Sequence, residues 1–170
     1  MQQINKGTVY FFTGLSGAGK TTIGGLFFTE IKAKKENIIL LDGDMIRPVF
    51  CEDIGYTMED RLKSAHRIFR LAKMLSDQGI DVVCCSISMF ENVRTWNREN
   101  IENYKEIYIK VTKETLLRRN QKGLYTGGVN VVGVDLPFDE PKNSDFVIEN
   151  DEDKAPQMIV SELEAAIFAK

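Results

Sequence analysis

Val9-Tyr-Phe-Phe-Thr13 followed by Gly14-Leu-Ser-Gly-Ala-Gly-Lys-Thr21 decides the fold of this 170-residue chain. An apolar, aromatic run predicts a strand. The glycine-rich octet after it has the spacing of a phosphate-binding loop, and Thr22-Ile-Gly-Gly-Leu-Phe-Phe28 continues into a helical pattern. Strand, loop and helix in this order are the context such a loop requires. The glycines let backbone N–H groups turn inward toward phosphate oxygens, and the helix N-terminus adds its positive end. Gly14, Ser16, Gly17, Ala18, Gly19, Lys20, Thr21 and Thr22 are therefore the candidate ATP-binding residues, with Lys20 reaching the β- and γ-phosphates and Thr21 ligating Mg²⁺.

Working outward, Ile38-Ile-Leu-Leu41 predicts a second strand that ends in Asp42-Gly43-Asp44, with Arg47 shortly after. Charges gathered at the carboxyl end of a buried strand lie where open α/β sheets bind ligands. Pro48 to Met58 reads as irregular, broken by Pro48 and Gly55. Thr57 then caps a helix over 58–77, with Asp60 in the acidic position of a capping box and Gly79 as its stop. Asp81 to Ser88 is an apolar strand of the kind covered on both faces. Glu91 to Asn103 predicts a polar helix, Glu106 to Val111 a strand, Thr112 to Asn120 a helix, Phe146 to Glu149 a fifth strand, and Lys154 to Lys170 a closing helix. Between them, Gln121 to Asn143 is a long glycine- and proline-bearing stretch, and loops of that length in compact domains are functional lids or disordered segments. Gly24 and Gly25 weaken the first helix by about 1 kcal/mol each relative to alanine, and close packing on the sheet accounts for them.

The pattern predicts a single α/β domain, a five-stranded parallel sheet flanked by helices with a mobile lid. With 43% hydrophobic residues the chain can build a sizeable core. No run approaches the roughly 18 apolar residues of a membrane span and no signal peptide is visible, so the expectation is a cytoplasmic protein without a membrane partner. A net charge of −3 disfavours a nucleic acid polymer. Cys84 and Cys85 are adjacent on a strand and point to opposite faces, and Cys51 stands alone. The three cysteines read as free thiols of a reducing compartment.

With loop, Asp42-Gly43-Asp44 and lid in place, the whole chain resembles the adenylylsulfate kinase (APS kinase) family of P-loop kinases. The resemblance is carried by Leu41 to Asp44 with Arg47, by Gly55-Tyr56 through Asp60-Arg61, by Ser86-Ile87-Ser88-Met89-Phe90, by Lys122-Gly-Leu-Tyr125, and by Gly133-Val-Asp-Leu-Pro-Phe-Asp139. It implies transfer of the γ-phosphoryl of ATP to the 3′-hydroxyl of a nucleotide. Asp44 would act as base; Lys20 and Lys122 would attend the transferring group. Asp42, Arg47, Tyr56, Arg61, Ser64, Ile87, Ser88 and Leu124 would bind the acceptor, with Tyr56 stacking on its base and Ser88 joining Thr21 near Mg²⁺.

The departures from the family fall on the acceptor. Ser64 stands where members usually have asparagine, His66 where they have arginine, and the lid is the shorter Thr126-Gly-Gly-Val-Asn-Val-Val132, with valine where a phenylalanine sandwiches adenine. These changes resemble the cytidine diphosphoramidate kinase branch, a capsule-pathway activity, and favour it slightly over adenylylsulfate. Two other functions fit the loop alone: a GTP-driven switch, for which no Asn-Lys-x-Asp motif follows a late strand, and a kinase for a small-molecule hydroxyl. Trp96 on a polar helix, with the resemblance, makes a homodimer an expectation.

Overall fold

The computed structural model describes residues 5–50, 53–120, 123–151 and 154–169. The first strand, β1 (Val9–Thr13), is buried along its whole length. Its alternating side chains serve two cores: Tyr10 and Phe12 enter one cluster, Val9 and Phe11 the other. A strand buried on both faces belongs at the centre of a parallel sheet. The order is β2-β3-β1-β4-β5, with β2 (Ile38–Asp42), β3 (Asp81–Cys85), β4 (Tyr104–Lys110) and β5 (Phe146–Glu149), and every pairing is parallel.

Helix α1 (Lys20–Lys32) follows the loop and packs beside α7 (Pro156–Ile167) on one face. Helices α3 (Met58–Asp77) and α4 (Glu91–Asn100) cover the other. Gly24 accounts for the close seating of α1. A Cβ there would lie 2.3 Å from Cys85 Sγ and 3.2 Å from Phe12 Cγ, whereas Gly25 faces open space. The close-packing reading therefore holds for one of the two glycines. Cys84 and Cys85 fall into opposite clusters, as their alternation requires; Cys51 lies outside the described residues.

The segment after Asp42 differs from the sequence reading. Gly43–Phe50 forms a helix, α2, with Pro48 inside it. Pro48 lies in the second and last turn of this 8-residue helix, so its missing N–H removes the single bond to the Asp44 carbonyl and its ring cannot disturb a longer run. Thr57 caps α3 as expected, its Oγ1 accepting from Asp60 N at 3.2 Å. Thr112 likewise caps α5 (Lys113–Arg119), accepting from Thr115 N at 3.3 Å. The lid contains a one-turn helix, α6 (Leu124–Gly127), and a bridge between Val132 and Leu136. Trp96 packs in part against the α3–α4 core, so that face of α4 is used within the chain. No described helix is long and apolar enough to cross a membrane.

Candidate active site

The carboxyl ends of β1, β2 and β3 converge on a cavity of about 450 Å³. One wall is the phosphate loop. Gly14, Gly17 and Gly19 all adopt positive φ (149°, 82° and 107°), which a side chain would resist. Ser16, Gly17, Gly19, Lys20, Thr21 and Thr22 line the cavity; Gly14 and Ala18 do not. The Cβ of Ala18 is instead buried in the α1 core, and its N–H donates to Leu15 O at 3.1 Å. Lys20 Nζ donates to Leu15 O at 2.8 Å, which folds its ammonium back over the loop.

The loop is tied to the next strand end by Thr21 Oγ1, which donates to Asp42 Oδ2 at 2.7 Å. Asp42 is 5% exposed, and its second oxygen accepts from Asp44 N at 2.9 Å. Asp42, expected on the acceptor side, thus has both oxygens engaged beneath the donor loop. Its charge is felt by the Cys85 thiol, pushed up to about 12 by burial first and by Asp42 second. Asp44 stands exposed in the first turn of α2, on the cavity wall. At the end of β3, Ser86 and Ser88 hydroxyls lie 2.7 Å apart, and Ile87 O accepts from Thr13 Oγ1 at 2.6 Å. Ser88 takes a φ of 31°, a strained value for a non-glycine residue. That loop is pinned to β1 and held in the cavity wall.

Opposite the phosphate loop stands a cationic aromatic cluster. The Arg47 guanidinium carbon lies 3.8 Å from the centre of the Tyr56 ring and that of Arg61 lies 5.6 Å away. Arg47 donates to the carbonyls of Ile54 (2.9 Å) and Gly55. Arg61 donates to Tyr56 O (3.1 Å) and Asn130 O (2.7 Å). Neither arginine forms a carboxylate ion pair among the described residues. Burial first, and then the neighbouring Arg47 charge, lower the pKa of Arg61, against a smaller opposing pull from Tyr56 and the Asp135 carboxylate. Ser64 and Leu124 complete the expected acceptor set in the lining. His66 and Arg67 do not reach it; Arg67 instead clamps Asp53 through two bonds of 2.9 and 2.8 Å. Lys122 lies outside the described residues.

Three further residues hold the loop; Tyr125 belongs to the Lys122 to Tyr125 motif, whereas Arg119 and Asn150 belong to none. Arg119 bridges Gly17 O (3.3 Å) and Asn150 O (2.8 Å), and Asn150 Nδ2 donates to Ala18 O at 2.8 Å. Tyr125 OH donates to Ser16 O at 2.5 Å and fastens α6 to the loop. Asn150 follows β5 directly, so the strand-end rule that finds Asp42 could also have found it; Arg119 has no signal beyond a basic helix end.

This combination of donor loop, strand-end carboxylates and lid can be compared with known proteins. The family profile described as adenylylsulphate kinase matches residues 6–149. The chain belongs to the adenylylsulphate kinase family. It is 42% identical over 151 residues to the cytidine diphosphoramidate kinase of Campylobacter jejuni, covering 86% of this chain and 88% of that one. It is 36% identical to the adenylyl-sulfate kinase of Pseudomonas aeruginosa, covering 92% and 85%. The solved APS kinase of Mycobacterium tuberculosis, in complex with AMPPNP and APS, superposes with a TM-score of 0.86 at 27% identity, covering 95% and 98%. Shikimate kinase from Aquifex aeolicus, at 16% identity and a TM-score of 0.59, shares the fold alone. Family membership makes the chain an ATP-dependent phosphotransferase with a P-loop kinase fold.

Proposed function

We propose that this enzyme transfers the γ-phosphoryl of ATP to the 3′-hydroxyl of a nucleotide bearing a phosphate-type anion, with cytidine diphosphoramidate as the acceptor. The observation that carries the acceptor half is the Arg47–Tyr56–Arg61 cluster. Two guanidiniums bonded, among the described residues, to backbone carbonyls supply charge for an anion, and the exposed Tyr56 ring beside them supplies aromatic surface for a base. The cluster faces the donor loop across one cavity, the arrangement an in-line transfer needs.

The steps follow from the groups present. Asp44 takes the proton of the acceptor hydroxyl as its oxygen bonds to the γ-phosphorus. The bond from that phosphorus to the β–γ bridging oxygen breaks, ADP leaves, and Asp44 returns its proton to solvent. Lys20 swings from Leu15 O to neutralise the phosphates, and the loop amides hold them. The Thr21 hydroxyl beside the buried Asp42 carboxylate is a hard-oxygen pair that fits Mg²⁺. Thr21 would hold the ion and Asp42 would orient Thr21, with Ser88 on the neighbouring wall. When bound, Mg²⁺ supplies charge neutralisation at the transferring phosphates. The lid, latched by Tyr125 and Arg61, excludes the water that would compete as acceptor.

A pyrimidine acceptor is supported by Val131. It is 4% exposed at the cavity wall, an aliphatic side chain where an aromatic sandwich would favour the larger adenine. Adenylylsulfate is the second reading, supported by family membership. ADP release measured across cytidine diphosphoramidate, adenylylsulfate and a simple alcohol tests both. Turnover of the first is expected; turnover of the alcohol alone would reject a nucleotide acceptor. A homodimer belongs to the same proposal and is tested by light scattering.

A further inference from the structure

Asn130 sits in the lid between Val129 and Val131 and lines the acceptor cavity. Its backbone is held from both sides. Asn130 N donates to Asp135 Oδ2 at 2.6 Å, while its carbonyl accepts from Arg61 Nη2 at 2.7 Å. Val131 N donates to the other oxygen of Asp135, so one carboxylate fixes two successive residues. The residue adopts a φ of 58°, in the left-handed region where glycine is the least strained choice. Glycines occupy the positions just before it, at 127 and 128. Asparagine is also well tolerated in that region, so the backbone accepts either residue.

The Asn130 side-chain amide forms no hydrogen bond with any described residue, whereas the N–H and carbonyl of Asn130 and of Val131 are all paired. This half-buried amide offers one acceptor and two donors to whatever occupies the cavity. The nearest named groups divide the remaining recognition. Arg61, bonded to Asn130 itself, carries the positive charge for the anion; Tyr56 offers the stacking face; Val131 limits the size of the base. None of these three distinguishes one base edge from another. Ser64 and Tyr56 bring hydroxyls to the same wall, but Asn130 brings a donor and an acceptor side by side in one plane, on an anchored backbone.

We propose that Asn130 reads the Watson–Crick edge of the acceptor base, and that this base is cytosine. The amide carbonyl accepts from the 4-amino group and the amide N–H donates to ring N3, the paired donor and acceptor that an amide matches in one plane. The assignment rests on the cytidine nucleotide reading above. It makes Asn130 a specificity-determining residue, separate from the groups that handle phosphate.

The test pairs a protein variant with a substrate variant. Asn130→Gly removes the amide and keeps the left-handed backbone, so the lid geometry survives. The probes are cytidine diphosphoramidate and its 4-deamino counterpart with a pyrimidin-2-one base. In the unaltered enzyme the counterpart is expected to show an acceptor KM about tenfold higher, the fold-change of one ordinary hydrogen bond. In Asn130→Gly both probes are expected to share the raised KM, with the KM for ATP unchanged. If Asn130→Gly still separates the two probes tenfold, another group reads the base and the proposal falls while the pyrimidine acceptor stands. A raised KM for ATP in the same variant would mark Asn130 as a lid support and overturn the reading too. Turnover of adenylylsulfate with none of cytidine diphosphoramidate would remove both the acceptor assignment and this one.

Discussion

Replacing Gly24 by alanine tests how tightly the donor half of the site is coupled to the core. The new Cβ would stand 2.3 Å from Cys85 Sγ and 3.2 Å from Phe12 Cγ, both buried. Neither neighbour can swing into solvent, so α1 must back away from the sheet. Overpacking of this kind costs about 1–3 kcal/mol. Alanine also gains about 1 kcal/mol of helix propensity over glycine, which would blur a single measurement. Gly25→Ala supplies the reference, because its Cβ meets nothing within 4 Å and it receives the same gain. The difference between the two variants therefore isolates the clash, about 1–3 kcal/mol and on the order of 1 M in urea midpoint. Urea unfolding followed by far-UV circular dichroism reads it directly. Cys85→Ala in the Gly24→Ala background should recover most of the loss, since it removes the nearest atom. The displacement should also raise the KM for ATP, because α1 begins at Lys20. Equal midpoints for the two glycine variants would refute the close seating of α1.

Other expectations are shorter. Lys20→Ala should lower kcat by several orders of magnitude with the fold retained, and Asp44→Asn should abolish transfer while leaving AMPPNP binding measurable by calorimetry; undiminished transfer by Asp44→Asn would assign the proton elsewhere. Arg61→Ala should raise the acceptor KM by about tenfold to a hundredfold, since it removes both a cation and a lid latch, and leave the KM for ATP within about twofold. In a Cys51→Ser background, a thiol reagent at pH 8 should label neither Cys84 nor Cys85 until denaturant is added, because burial holds both thiols well above their ordinary value. The Thr115 hydroxyl, followed by the Thr112 N–H and hydroxyl, lowers the pKa of Asp151 below 3.8. Stability from a depressed carboxyl is complete above its unfolded pKa and lost as pH falls through the folded one. The stability gap between wild type and Asp151→Asn should thus be constant at neutral pH and close below about pH 3.8; a gap that persists at pH 2 would contradict it.

The donor half was legible because it depends on local chain geometry. Glycines at fixed intervals, a lysine and a hydroxyl must be contiguous to wrap a phosphate, so their pattern survives in the linear sequence. The strand ends were legible for a related reason: the buried run Ile38 to Leu41 makes the charges after it conspicuous. The acceptor half was less so. Arg47 and Arg61 lie on different helices, and their shared position on Tyr56 follows from how α2 packs on α3. Asp42 was assigned to the acceptor from its place in a motif; in the fold it lines the cavity with one oxygen on Thr21 of the loop and the other on Asp44 N. Pro48 misled the reading of α2 because a helix of 8 residues loses a single backbone bond to it and ends before a kink can develop. Arg119 and Asn150 were hidden because they act through backbone carbonyls of the loop, contacts that carry no residue signature.

The two halves also differ in how they are mounted. Donor recognition rests on the backbone of one unbroken loop fused to the central strand and to α1, so altering it disturbs the α1 core. Acceptor recognition rests on side chains borrowed from α2, α3, the end of β3 and the lid, with Tyr56 and Val129 exposed beyond any core. On the proposed reading, substitutions at the exposed ones among them would change what is phosphorylated with little cost to folding. A lineage built on this plan can try new acceptors one side chain at a time while its phosphate donor stays fixed.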